Sequence, residues 1–103
     1  MKINCDVLIP VRTGNTRLPG KALKQIDGKE TILYLIERLK TCKNIRKIIV
    51  CTTSLPSDDL LSELLTRRKI DFFRGSEKDI LNRFYLASKK FQTDFIINVD
   101  GDD

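Results

Sequence analysis

Apolar and polar positions along the chain follow two periods, one of two residues and one near 3.6. Residues 5–11, "CDVLIPV", form a short apolar run suited to a buried strand. The segment 31–42, "TILYLIERLKTC", sets Ile32, Leu35, Ile36 and Leu39 at helical spacing. The β-branched run "KIIVCTT", 47–53, predicts a second buried strand. In 57–69, "SDDLLSELLTRRK", Ser57 is the expected N-cap, two acids follow it and three cations close the segment, as a helix dipole favours. "IDFF", 70–73, predicts a third strand. In 76–91, Ser76 and Asp79 form a capping-box pattern ahead of Ile80, Leu81, Phe84, Ala87 and Phe91 at helical intervals. "DFIINV", 94–99, predicts a fourth strand, expected to be buried by its composition or else to form an exposed sheet edge, and "DGDD" follows it.

The resulting order, β-α-β-α-β-α-β, is that of an α/β protein with a parallel sheet flanked by helices. Right-handed crossovers favour the doubly wound strand order 3-2-1-4. Strands one and four are then neighbours, and ligands bind at such switch points, beyond the carboxyl ends of the strands. The loop after strand one is "RTGNTRLPGK" and the segment after strand four is "DGDD". The pattern therefore sets the most cationic loop beside the most acidic segment.

Composition narrows the classes without choosing among them. The 103 residues make one domain at most, 41% hydrophobic and 32% charged, as expected of a globular protein. No apolar run approaches the length of a membrane span, and no secretory leader pattern opens the chain. Cys5, Cys42 and Cys51 lack C-x-x-C spacing and histidine is absent, which disfavours a structural zinc site or a histidine-based triad. The cysteines are expected to be small apolar residues of a reducing, cytoplasmic compartment. The net charge of +5 is scattered rather than clustered, so a nucleic-acid partner is not expected.

The loop chemistry points to phosphate. A Walker A loop does not fit, because five residues separate Gly14 from Gly20 and Ala22 follows Lys21; no G-x-G-x-x-G occurs either. What remains is R-x-x-x-x-R-x-P-G-K: Arg12, Arg17, Pro19, Gly20 and Lys21. Pro19 fixes φ, and Gly20 allows a sharp turn and close approach to a ligand. Arg12 offers a planar fork and Lys21 a point charge to phosphate oxygens. A solvated turn is the competing reading of the loop. Asp100, Asp102 and Asp103 are candidate ligands for a hard cation shared with phosphates, or else an ordinary Asp-Gly turn.

"IPVRTGNTRLPGKAL", "LIERL", "IIVCTTSLPSDD", "FRGSEKDILNRFYLA" and "INVDGDD" together resemble the cytidylyltransferase family of CMP-sugar synthetases, in its spore-coat polysaccharide branch. The resemblance runs along essentially the whole chain. It implies a Rossmann-like nucleotidyltransferase fold, CTP and a sugar hydroxyl as substrates, and magnesium as cofactor. By position it assigns Arg12 and Lys21 to the triphosphate as catalytic groups, with Asn15 and Arg17 on the same loop. Pro10 and Val11 would border the cytosine, and Asp102, with Asp100, would hold magnesium. Arg74, Ser76 and Asp79 would lie near the nucleoside, although Ser76 and Asp79 also suit a helix cap. Arg83 is left open between a surface and a site cation.

Two positions depart from the family: Asn15 stands where serine is common, and Asp100 where glutamine or threonine is common. Family members are about twice as long, so this chain is expected to be a nucleotide-binding half without the sugar-binding half. A homodimer is implied for the longer enzymes, and a non-catalytic nucleotide-binding or assembly module is the alternative.

Overall fold

The structure is a computed structural model that describes residues 3–14 and 21–100, Lys21 by its backbone alone. Strand β1 (Cys5–Pro10) occupies the middle of the sheet, with its four central residues buried. A short hairpin follows, β2 (Gln25–Ile26) against β3 (Lys29–Glu30), then helix α1 (Thr31–Lys40). Strand β4 (Lys47–Thr53), helix α2 (Asp59–Arg67), strand β5 (Asp71–Gly75), helix α3 (Ile80–Lys90) and strand β6 (Phe95–Asn98) complete the chain. The main sheet has the order β5-β4-β1-β6 with every pairing parallel. This is the expected doubly wound arrangement, so β1 and β6 flank the switch point.

Alternation along β1 divides the core between the two faces of the sheet. Val7 and Ile9, together with Val11 and Val50, pack with Ile32, Leu33 and Ile36 of α1 and Leu61, Leu64 and Leu65 of α2. On the other face Leu8, Ile49 and Cys51 meet Ala87 of α3, with Phe73, Phe84 and Phe91 around them. A slip of one residue in β1 would exchange these two sets, so both faces fix the register. At the amino ends of the strands the buried Asp6 accepts two hydrogen bonds from Arg46, at 3.0 and 2.7 Å, and one from the Lys47 amide at 3.0 Å. Burial raises its pKa, but these bonds and one from Thr93 outweigh burial and hold the carboxyl below its ordinary range.

Several sequence expectations are corrected. The β2–β3 hairpin escaped the pattern reading because its strands are two residues long; Asp27 and Gly28, at φ of 55° and 79°, make the turn. Ser57 does not cap α2. Pro56–Asp58 form a 3-10 turn, the helix begins at Asp59, and the Asp58 carboxylate turns toward Thr13 and Thr53 instead of capping. The Ser76–Asp79 motif starts its helix later than expected. Asp79 is the N-cap, accepting from the Asn82 amide at 2.9 Å, and Ser76 accepts from the Asp79 amide at 3.1 Å.

Leu81 lies outside the core, 80% exposed. Among the described residues the fourth strand, β6, pairs only with β1, so the expected open edge is found and the expected burial is not: Phe95 is 62% and Ile96 38% exposed. Of the cysteines only Cys51 is an interior residue; Cys5 is half-buried and Cys42 exposed just beyond α1. Burial pushes the Cys51 thiol up to about 12.

Candidate functional site

The first loop leaves the sheet along β4. The Val11 amide donates to the Cys51 carbonyl at 3.0 Å, which carries the backbone one residue past β1 before it turns. Thr13 then locks the loop base to the entrance of α2. Its amide donates to Asp58 Oδ1 at 2.8 Å, and its hydroxyl lies 2.6 Å from the same oxygen and 2.5 Å from the Ser57 carbonyl. One hydroxyl proton serves both acceptors. Thr53 donates to the other Asp58 oxygen. Asp58 is fully buried. Burial raises its pKa, yet the hydrogen bonds from Thr13 and Thr53 prevail and hold it below its ordinary value. A charged, fully hydrogen-bonded carboxylate thus fastens the root of the cationic loop.

Arg12, between these two anchored residues, reaches into a cleft of about 560 Å³ at the carboxyl ends of β1 and β6. Pro10 and Val11 line the cleft at the end of β1, with Asn98 at the end of β6 and Asp100 just beyond it. Glu77, Lys78 and Arg83 line it from the β5–α3 connection and from α3. Arg12 Nη1 pairs with Glu77 Oε1 at 3.2 Å, both side chains being partly exposed. Arg83 is 2% exposed and, among the described residues, donates to three backbone carbonyls: Nε to Ser76 at 2.9 Å, Nη1 to Cys51 at 3.2 Å and Nη2 to Glu77 at 3.1 Å. Burial lowers its pKa, and the neighbouring charge of Arg12 adds to that shift. A second cavity, about 270 Å³, lies by Arg46 and Asp71 at the other end of the sheet, away from both loops.

The structure therefore brings Pro10, Val11, Arg12 and Asp100 to one cleft. It does not bring Arg74 there. That guanidinium donates to the Thr53 and Leu55 carbonyls at 2.7 and 2.8 Å and to Asp59 at 2.8 Å, tying β5 to α2. Ser76 and Asp79 have their described side-chain contacts within the start of α3. Asn15, Arg17, Pro19, Gly20, Asp102 and Asp103 lie outside the described residues, as does the Lys21 side chain. Arg83 proves to be a buried residue of the cleft rather than a surface cation. Asp58 and Glu77 were not anticipated; only their acidity marked them, and nothing in the spacing ties either to residues 12 and 13.

The donor set bears on magnesium. Among the described residues no group of three acidic or sulfur ligands forms. Magnesium needs less protein than that, since one or two carboxylates suffice where substrate phosphates supply the other oxygens. Asp100, exposed and lining the same cleft as Arg12, fits that requirement.

The cytidylyltransferase profile matches residues 7–103. The chain belongs to the cytidylyltransferase family. Among curated relatives, the spore coat polysaccharide biosynthesis protein SpsF of Bacillus subtilis is 29% identical over 99 residues, covering 92% of this chain and 41% of that protein. Of solved structures, a cytidylyltransferase from Leptospira borgpetersenii superposes with a TM-score of 0.90 at 33% identity, over 98% of this chain and 42% of that one. CMP:2-keto-3-deoxy-manno-octonic acid synthetase, complexed with CTP, gives a TM-score of 0.78 at 25% identity over 97% and 41%. The expected family and nucleotidyltransferase fold are thus borne out. This cytidylyltransferase chain spans about two fifths of the length of the relatives it matches. Among the described residues no helix is long and apolar enough to cross a membrane.

Proposed function

We propose that this chain is the nucleotide-binding part of a magnesium-dependent cytidylyltransferase that transfers CMP from CTP to a sugar hydroxyl for surface polysaccharide synthesis. One observation carries the reading: the switch-point cleft faces Arg12 with Asp100, in a chain similar to a synthetase solved with CTP. In the reaction the sugar hydroxyl oxygen attacks the α-phosphorus and gives up its proton to solvent, the bond from the α-phosphorus to the oxygen bridging to the β-phosphate breaks, and pyrophosphate leaves with that electron pair. Such a transfer calls for positioning and charge neutralisation more than covalent help. Arg12 supplies a fork for phosphate oxygens from a loop root fixed by Asp58, and Lys21 adds the charge that the family resemblance places at the α-phosphate. Asp100, with Asp102, would hold magnesium, which when bound would supply neutralisation of phosphate charge.

The test is thermal unfolding of the chain with CTP, ATP, GTP or UTP, each with and without magnesium. A ligand bound only to the folded state at 100 times its Kd stabilises by about 2.7 kcal/mol. That raises Tm by roughly 10–20 °C in a domain of this size. A shift specific to CTP with magnesium is the expected result. Equal shifts with all four nucleotides would refute the choice of CTP. A cooperative melt that no nucleotide moves would favour a non-catalytic assembly module.

A further inference from the structure

The ion pair across the cleft raises a question that the transfer reaction leaves unanswered: why does a phosphate-binding arginine face a carboxylate? Glu77 is not on the same element as Arg12. It stands in the connection between β5 and α3, and its position depends on what fixes that connection. Arg83 does so. Its guanidinium bonds the Ser76 and Glu77 carbonyls on one side and the Cys51 carbonyl, near the end of β4, on the other. The same β4 residue receives the Val11 amide, so the Cys51 carbonyl is common to the segments carrying Arg12 and Glu77. Gly75 makes room for this arrangement: a Cβ there would lie 2.8 Å from the Phe73 ring and 3.2 Å from Arg83 Cγ.

We propose that Arg83 is a positioning residue that holds the Glu77 carboxylate on Arg12, where it stands in for a phosphate oxygen and must be displaced when the nucleotide binds. This rests on the nucleotide-binding reading above. Among the described residues Arg83 forms no ion pair, so its fork is free to serve backbone geometry alone. A lysine there keeps the charge but cannot bridge three carbonyls from two segments. The pair it maintains is partly exposed, which makes the carboxylate a weak competitor rather than a permanent block.

The experiment measures the Kd of inorganic tripolyphosphate, and separately of CTP with magnesium, for the 103-residue chain, Glu77→Gln, Arg83→Lys and the double variant. Glu77→Gln should tighten tripolyphosphate binding about threefold, the scale of an exposed ion pair. In the Arg83→Lys background the same change should move Kd by less than about 1.5-fold, because the carboxylate is no longer held on Arg12. Equal tightening in both backgrounds would overturn the role of Arg83. Unchanged or weaker binding in Glu77→Gln, or no tripolyphosphate binding by any variant, would overturn the whole inference. If Arg83→Lys fails to fold, exchange of the wild-type Arg83 Nε–H decides: slow exchange supports the clamp, and exchange at the solvent rate refutes it. The expected tripolyphosphate pattern, with CTP and magnesium bound no more tightly than tripolyphosphate, would leave this inference standing and refute the proposed recognition of CTP.

Discussion

Removing the Asp58 carboxylate should damage the fold more than its place in a short connecting turn suggests. In Asp58→Ala, a fully buried position loses the acceptor for the Thr13 amide at 2.8 Å, for the Thr13 hydroxyl and for the Thr53 hydroxyl. The Thr13 hydroxyl keeps the Ser57 carbonyl as acceptor, so the amide and the Thr53 hydroxyl suffer most. Hydrogen bonds to a charged group contribute about 1.5–3 kcal/mol each, and stranded buried donors add a desolvation cost. The expected loss is about 3–4 kcal/mol, or roughly 12–25 °C in Tm. Asp58→Asn keeps the shape and one acceptor, and Thr53 can accept from its amide, so about 1–2 kcal/mol is expected.

The pH dependence gives a second readout. Asp58 has a folded pKa below its ordinary 3.8, so its stabilisation is complete above that value and is lost as pH falls through the lower folded one. Asp58→Asn should therefore flatten the acid side of the stability profile. The flattening should be partial, since Asp6 is depressed in the same direction. Urea denaturation from pH 7 down to pH 2 measures both quantities. A loss below about 1 kcal/mol in Asp58→Ala, or an unchanged acid slope in Asp58→Asn, would refute the anchoring argument.

Three further outcomes are expected. Asp100→Asn should raise the magnesium concentration needed for half-maximal CTP binding severalfold in a calorimetric titration; an unchanged magnesium dependence would remove Asp100 as a ligand. A disulfide-exchange reagent at neutral pH should label the exposed Cys42 quickly and the buried Cys51 only through global unfolding, and similar rates at the two would contradict the packing of the α3 face. Phe95→Lys or Ile96→Lys should reduce self-association of the chain in sedimentation velocity, because a cation on an open strand edge opposes further pairing. Unaltered sedimentation would show that the β6 edge is not the sticky surface.

The sheet was legible because its strands are dense in β-branched residues and its helices carry apolar stripes. β4 appears at 47–53 as expected, and the strand order followed from crossover handedness. Boundaries failed where side chains had tertiary partners. Asp58 looked like part of a helix start and serves the first loop instead. The apolar composition of β6 suggested burial and its end place in the strand order suggested an open edge; the edge prevailed, because burial depends on neighbours that a local pattern does not contain. In the cleft, Arg12 and Asp100 could be read from their places after β1 and β6. The Glu77 and Arg83 contacts could not, since both rest on how the β5–α3 connection folds back over the end of β4.

The central place of β1 has a consequence for the order in which the chain is made. The strand that both sheet halves lean on is synthesised before β4, β5 and β6, so its partners arrive late. Asp6 must wait for Arg46, 40 residues downstream, and Asn4 for Asp94, 90 residues downstream. Until then Val7, Leu8 and Ile9 have no sheet on either side. Such distant pairings slow folding and leave apolar strand surface uncovered while the nascent chain lengthens. The root of Arg12 can be secured once Cys51 and Asp58 emerge, whereas the β6 side of β1 stays open longest, so a ribosome pause before β6 would prolong the exposure of this nascent sheet to misassembly.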